Sequence, residues 1–440
     1  MSVRETARIA RRPMIGVILV GVLVAACGSK GSPAANGPST PARSAGESSA
    51  PATTAPATSA PSAGPTSASG IAASSPAATS PPGLAAGQVG TRAQVPWGQV
   101  GPGWFLATSD SAALHAEGAS AAPTSQAGTV SLSLVSPDGA LYVIASWPGY
   151  TEGSDPASLA GLAAWSATRR EALLSNPGGA VIEVDLTTGV RHEISVPNLS
   201  TAGFTQPTGA NLVAAIGDTT SNGGWIGERL VRLDLNGKPL LTLATADRDS
   251  MEWLYSPDGA TVYINGHGGL RVVSNSGGSI RNLATFETPD ADCAPVAWWD
   301  QHTILAHCAG DAGSRLWLVS ASSGSATPLT PMPGTPPVGL GYISAVRAGG
   351  TVFAQHLEGC GVVTVYRLAA SGVGTRIQIP ESLSNDRLVG VVGGKIAIQS
   401  STECGSPSWF GFYDPATNTT QKIVPDVPGE VGVLSALAFP

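Results

Sequence analysis

Five cysteines and six histidines carry most of the reactive chemistry available to this chain, and their positions divide them into separate problems. Cys27 stands alone near the N-terminus, while the other four cysteines all fall between Cys293 and Cys404. An even count of this kind in an exported chain reads as disulfides. Cys293 and Cys308 flank a hairpin that turns near Asp300-Gln301, which sets them opposite each other within disulfide range. Cys360 and Cys404 each end the second strand of successive repeats, where neighbouring sheets would bring them together. The competing chemistry is a metal site, because His307-Cys308 and His356 with Cys360 put two His and two Cys at matching places. Zinc needs four such ligands converging as a tetrahedron. The spacing fits no compact metal motif and disulfides already use the cysteines, so no metal is expected. His115, His192, His267 and His302 are scattered along the chain.

Other catalytic signatures are equally absent from the sequence. There is no Gly-x-Ser-x-Gly nucleophile elbow, and "NGHGGL" from Asn265 to Leu270 lies between two strand-like runs, where it reads as a hairpin turn rather than an oxyanion loop. No phosphate-cradling Gly-rich loop with Lys-Ser/Thr occurs, and no calcium loop is complete. No catalytic residue and no cofactor are therefore expected. Ten Trp residues remain. Trp147, Trp165, Trp225 and Trp253 are candidates for a binding mouth, set against the commoner use of Trp as packing between sheets.

The segment before Cys27 decides where such a site would operate. Arg4, Arg8, Arg11 and Arg12 precede an apolar run of 13 residues, Met14 to Ala26. That is the length of a signal-peptide core and is short of the roughly 20 residues that span a bilayer. The junction Val24-Ala25-Ala26-Cys27 resembles the lipobox of bacterial lipoproteins, which implies cleavage after residue 26 and a diacylglycerol on Cys27. The expected location is the outer face of the cytoplasmic membrane, with membrane contact through the lipid only. Removing residues 1–26 takes away four Arg and one Glu, leaving 19 basic against 29 acidic residues and a net charge of −10. No basic stripe interleaved with aromatics remains, which excludes nucleic acid as a partner.

Residues 27–96 are mostly Ser, Pro, Ala, Thr and Gly, and the first aromatic residue is Trp97. Such a composition does not bury enough apolar surface to offset chain entropy, so a disordered stalk is expected. As a flexible coil it would average about 45 Å end to end.

Residues 97–440 form the folded part. Short runs rich in Val, Ile, Leu and aromatics alternate with Gly, Asn, Asp, Ser and Pro, the pattern of consecutive antiparallel strands. One strand-plus-turn recurs: "LSLVSPDG" ending at Gly139, then turns at Gly189, Gly237, Gly277, Gly324, Gly372 and Asn418, at intervals of 50, 48, 40, 47, 48 and 46 residues. A period in the 40s with about four strands per unit is the mark of a WD40-like β-propeller blade, and seven turns imply seven blades. The innermost strands are expected to be rich in small residues, as in Gly161, Ala163 and Ala164, Gly341, Ser344 and Ala345, or Gly390 and Gly393. The first blade lacks an inner strand of its own, and the orphan "VGVLSALAFP" at the end of the chain would supply it and close the ring. The fold class is all-β: a closed seven-bladed propeller after a lipoprotein signal peptide (1–26) and a disordered linker (27–96).

The repeats, with "SPDGA" at Ser136 and again at Ser256, resemble those of TolB-type propeller domains. The whole chain, with "VPWGQVGPGWFLATS" opening the body, is similar to secreted propeller lipoproteins of actinobacteria. That resemblance implies a propeller at the cell surface and assigns no catalytic residue. The expected function is a monomeric, non-enzymatic binding or scaffold module for a protein, a peptide or a cell-wall glycan. The alternative is a lactonase-like or quinone-dependent dehydrogenase-like propeller enzyme, which requires carboxylates or histidines converging at the central channel.

Overall fold

The computed structural model describes residues 83–440, except 111–128, 149–160, 167, 177–179, 220–224, 247–250, 288–290, 312, 332–339, 360, 403–407 and 425–431. Cys27 and the stalk up to residue 82 lie outside the described residues, as do Cys360 and Cys404.

The described part is all-β, with one short 3-10 turn at Arg92–Gln94. The strands run in chain order as β1 (Val89–Thr91), β2 (Phe105–Asp110), β3 (Thr129–Val135) and β4 (Leu141–Pro148); β5 (Gly161–Ser166), β6 (Glu171–Asn176), β7 (Ala180–Asp185) and β8 (Arg191–Ser195); β9 (Leu199–Phe204), β10 (Leu212–Thr219), β11 (Trp225–Leu233) and β12 (Pro239–Ala246). They continue as β13 (Trp253–Tyr255), β14 (Thr261–His267), β15 (Gly269–Ser274) and β16 (Arg281–Thr285); β17 (Asp292–Trp298), β18 (Thr303–Gly310), β19 (Gly313–Ser320) and β20 (Ala326–Pro328); β21 (Gly341–Ala348), β22 (Thr351–Gly359), β23 (Val362–Leu368) and β24 (Gly374–Arg376); and β25 (Asn385–Val392), β26 (Lys395–Ser401), β27 (Ser408–Asp414), β28 (Thr419–Val424) and β29 (Gly432–Ala438). From β5 to β28 each successive group of four pairs as an antiparallel meander. The first meander is assembled from both ends of the chain, in the order β29-β2-β3-β4 with β1 added in parallel to β4.

Local chemistry explains the repeat. Gly139, Gly189, Gly237, Gly277, Gly324, Gly372 and Asn418 each follow the third strand of a meander, and all seven have positive φ, between 53° and 95°. An L-residue with a Cβ pays about 1 kcal/mol or more there, glycine pays nothing, and Asn is the tolerated substitute. The two "SPDGA" turns hold themselves in the same way, with Ser136 Oγ donating to Asp138 and Ser256 Oγ donating to Asp258, each at 2.5 Å. They join different strand pairs, β3 to β4 and β13 to β14.

Packing follows from the two-residue period of a strand. Along β10, Leu212 and Ala214 face the meander before it, while Val213 and Ala215 face the meander after it. The central strands are covered on both faces and therefore read as continuous apolar runs. Each buried cluster draws on two consecutive meanders. One further cluster joins the last meander to the first, through Phe410 and Phe412 of β27 against Phe105 and Ala107 of β2. Phe105 is fully buried with its ring centroid 5.7 Å from Phe410 and 5.6 Å from Phe412.

The N-terminal limit of the folded part needs correction. The composition assigned residues up to 96 to the stalk, but β1 pairs with β4 from Val89 to Thr91. Leu84 N–H donates to Tyr142 Oη at 3.0 Å, and Arg92 Nη1 donates to Ile144 O at 3.2 Å. This segment has almost no apolar pattern of its own and is held by partners some 50 residues away, which composition does not register.

Candidate binding cleft

The first strands β5, β9, β13 and β17 bring their C-terminal ends to one cleft of ≈ 830 Å³. Trp165 and Phe204 come from β5 and β9, Trp253 and Tyr255 from β13, and Trp298 from β17; small residues such as Ala164, Ala202 and Gly203 lie between them. The volume is that of a typical small-ligand site, and the lining is mainly apolar with a few polar groups at its edge.

Each ring is fixed by a distinct contact. Trp298 donates its indole N–H to Tyr255 O at 2.7 Å and stands edge-on to Tyr263, with centroids 5.6 Å apart at 80°. Trp165 is edge-on to Phe439 at 4.9 Å and 82°. Trp253 lies across Gly203, where a Cβ would come within 3.6 Å of its Cζ2. Tyr255 is buried, and desolvation pushes its phenol up to about 12, so it stays protonated. The turns supporting the rim are interlocked: Gly259, at φ 71°, approaches Gln206 so closely that a Cβ would sit 2.0 Å from the Gln206 carbonyl oxygen.

The polar inventory of the cleft is short. Thr201, Gln206, Gln301 and Asp300 contribute polar side chains, and Ser256 is engaged within its own turn. Asp300 accepts the backbone N–H of His302 at 2.8 Å, and this bond above all holds its carboxyl below the usual range. Asp300 is the single side-chain carboxylate among the described residues that line the cleft, which include no Lys, Arg or His.

Two other polar constellations lie outside the cleft. Arg169 pairs with Glu171 (Nε to Oε2 2.6 Å, Nη2 to Oε1 2.8 Å) and lies 3.6 Å from Glu183, while His192 stands 3.7 Å from the other oxygen of Glu183. Burial, followed by the charge of Glu183, pushes Glu171 up to about 7. Arg169 also donates to Gly209 O at 3.2 Å, tying this group to the loop that carries Gln206. Between the fifth and sixth meanders, buried His356 lies 3.4 Å from Glu358, whose Oε1 also accepts from Thr364 at 2.6 Å and from Tyr366 at 3.0 Å. Burial raises the Glu358 carboxyl, but these hydrogen bonds outweigh it and the group lies below the usual range.

The residues singled out in the sequence separate clearly. Trp165 and Trp253 line the cleft. Trp147 does not: it is buried in the first core cluster with the Arg191 guanidinium 5.5 Å from its ring, so its expected place in a binding mouth is corrected to packing. The side chain of Trp225 lies outside the described residues, as does His115. Cys293 and Cys308 are directly opposite in β17 and β18 and are joined by a disulfide, with Cα atoms 4.0 Å apart. His307, next to Cys308, points to the opposite face of β18 and is buried; desolvation lowers its imidazole to about 4. No three His, Cys, Asp or Glu side chains among the described residues are grouped to hold a metal ion. His267 stands 3.3 Å from Asp292, and His302 lies in the turn after Asp300. Trp298, Tyr255 and Phe204 were missed, although an aromatic residue just before the first turn of successive repeats was a signal open to inspection.

No protein-family model matches this chain, and no curated protein is similar to it. Among solved structures it is similar to the acylaminoacyl peptidase of Pyrococcus horikoshii, at 10% identity and TM-score 0.46, covering 69% of this chain and 48% of that one. A puromycin-hydrolyzing peptidase of Mycobacterium tuberculosis matches at 12% identity and TM-score 0.45, over 68% and 52%. TolB from Acinetobacter baumannii matches at 12% identity and TM-score 0.40, over 83% and 89%. The chain spans about half the length of the peptidases it matches.

Proposed function

We propose that this chain is a lipid-anchored extracytoplasmic β-propeller that acts as a non-enzymatic binding module, monomeric, for a protein, a peptide or a cell-wall glycan. The anchor is Cys27 at the Val-Ala-Ala-Cys junction, and residues 27 to about 82 are the tether. The seven meanders are the blades. Closure by β29 is supported by its pairing with β2, where Phe105 stands opposite Ala438, and by the cluster joining the last meander to the first.

The observation that carries the binding role is the cleft where four first strands end, lined by aromatic rings from each of them. A lactonase-like or dehydrogenase-like site would need several carboxylates or histidines converging there, and the described lining offers Asp300 alone. The test is capture on arrays of peptides and of cell-wall glycan fragments by the full chain and by the Trp253→Ala, Trp298→Ala double variant. Loss of a specific signal in the variant with a retained melting transition is the expected result. Equal capture by both proteins would overturn the assignment of the cleft.

A further inference from the structure

Resting on the cleft as a binding site, we propose that its occupant is a peptide segment presenting an arginine or lysine side chain, whose cation seats against the rings of Trp253 and Trp298 with Asp300 as counter-charge. The charge balance of the lining argues for this. Its described residues hold one carboxylate and no Lys, Arg or His, so a buried anion would meet no compensating charge and would pay its desolvation in full. A second carboxylate, Asp258, follows the lining residue Pro257 and stays ionised through hydrogen bonds from Ser256 Oγ and the Ala260 N–H. Arg169, at the same end of β5 as Trp165, is spent on Glu171 and on Gly209 O. A cation therefore gains twice in this cleft, from the negative faces of the rings and from Asp300.

The scarcity of hydrogen-bonding groups separates a cation from a sugar. A polyhydroxyl ligand needs a partner for each hydroxyl that it removes from water. The indole N–H of Trp298 is already committed to Tyr255 O, and Ser256 Oγ donates within its own turn. Thr201, Gln206, Gln301 and Asp300, with the indole N–H groups of Trp165 and Trp253, are left, few for a saccharide filling ≈ 830 Å³. An apolar stem ending in one charge makes far smaller polar demands. The rings also have the right rigidity, since Trp165 and Trp298 are braced by Phe439 and Tyr263, which lie outside the lining, rather than by one another. The net charge of −7 on the whole chain adds long-range attraction.

The experiment titrates the full chain, by Trp fluorescence and calorimetry, with short blocked peptides that differ only in a central Arg, Lys, citrulline or Glu. Citrulline keeps the shape of Arg without its charge. The Arg and Lys peptides are expected to bind at least about fivefold tighter than the citrulline peptide, the ratio given by a cation–π contact of about 1 kcal/mol. Added salt should narrow the gap, Asp300→Asn should reduce it, and Trp253→Ala should abolish binding that Trp253→Phe retains. Equal affinity for Arg and citrulline, preference for Glu, or an unchanged gap in Asp300→Asn would each overturn the inference. Absence of peptide binding together with Trp253-dependent capture of a wall glycan would defeat this inference and leave the binding module standing. Failure of both assays would defeat both.

Discussion

The first strands of the repeats fall into two groups that share a position and differ in what they present there. β5, β9, β13 and β17 approach their turns with Trp165, Phe204, Tyr255 and Trp298. β21 and β25 run straight into Gly349-Gly350 and Gly393-Gly394, two-residue turns with φ of 54° and 80° in the first and 54° and 82° in the second. These are the paired positive dihedrals of the tight hairpin turn that matches strand twist. A Cβ at any of the four glycines would meet nothing within 4 Å, so glycine is used there for its backbone conformation and not for want of room. The comparison shows that a four-stranded meander does not need an aromatic residue at the end of its first strand. The rings on one side pack into the cores between meanders and also line the cleft, which is why they are read as a binding surface.

The strand between the two groups offers the harshest test. β29 packs against β25 on one side and β5 on the other. Deleting Gly432 to Pro440 leaves β2 with an unpaired edge and separates the two groups. Loss of the single cooperative calorimetric transition is expected, and an unchanged transition would show that the halves do not depend on one another.

Acid provides the next largest effect, and on the aromatic side it acts through His307. His307 titrates near 6.5 when unfolded and at about 4 when folded, so it takes up its proton mainly in the unfolded chain. The stability held above pH 6.5 is lost as pH falls to about 4, by up to about 3 kcal/mol. Urea melts of His307→Leu across this window should show a flatter acid limb. Glu171 runs the other way: its carboxyl is pushed up to about 7, so its contribution is full below about 4.5 and disappears as pH rises through 7. Glu171→Gln should flatten the neutral limb.

Replacing Cys293 and Cys308 by Ser opens a bridge of sequence separation 15. The chain-entropy model gives a loss of about 3 kcal/mol for a loop of that size. Both variant residues still face each other across the β17–β18 hairpin, so cleft binding should survive; loss of binding at full occupancy of the folded state would mean that the bridge shapes the cleft.

The smallest change sharpens the comparison most directly. Gly350→Ala meets open space and pays for its positive φ alone, about 1 kcal/mol. Gly259→Ala pays the same and also drives a Cβ into the Gln206 carbonyl. The second should lower the melting temperature by clearly more, and equal effects would show that the aromatic rim yields as easily as the glycine turns.

What was legible in the sequence follows the range of the forces involved. The turns at Gly139 through Asn418 could be read because a positive φ selects Gly or Asn whatever surrounds it. The Cys293–Cys308 register was equally readable, since a hairpin turning at Asp300-Gln301 leaves few choices. Strand alternation also separates His307 from its neighbour Cys308, placing them on opposite faces of β18. The cleft was half legible. Trp147 and Trp165 both lie near the ends of apolar strands and both enter the same core cluster, and only the arrangement of neighbouring sheets gives Trp165 alone a place in the cleft lining. β1 was missed because its partner is β4, a relation between distant residues that leaves no local mark.

The pairing of β2 with β29 has a consequence in time as well as in space. Thr108 Oγ1 and Ser435 Oγ lie 2.8 Å apart across a sequence separation of 327 residues. Every other meander can assemble from neighbours as they leave the ribosome, at about 5 to 20 residues per second. The first one waits for nearly the whole chain, with one edge of β2 unpaired throughout synthesis. Long-range contacts of this kind are formed last and slowly, because loop-closure entropy is paid before they return anything. A strand made near the start of synthesis is thus the last to fill its second edge, and the interval before it does so is when this protein is most exposed to pairing with the wrong one.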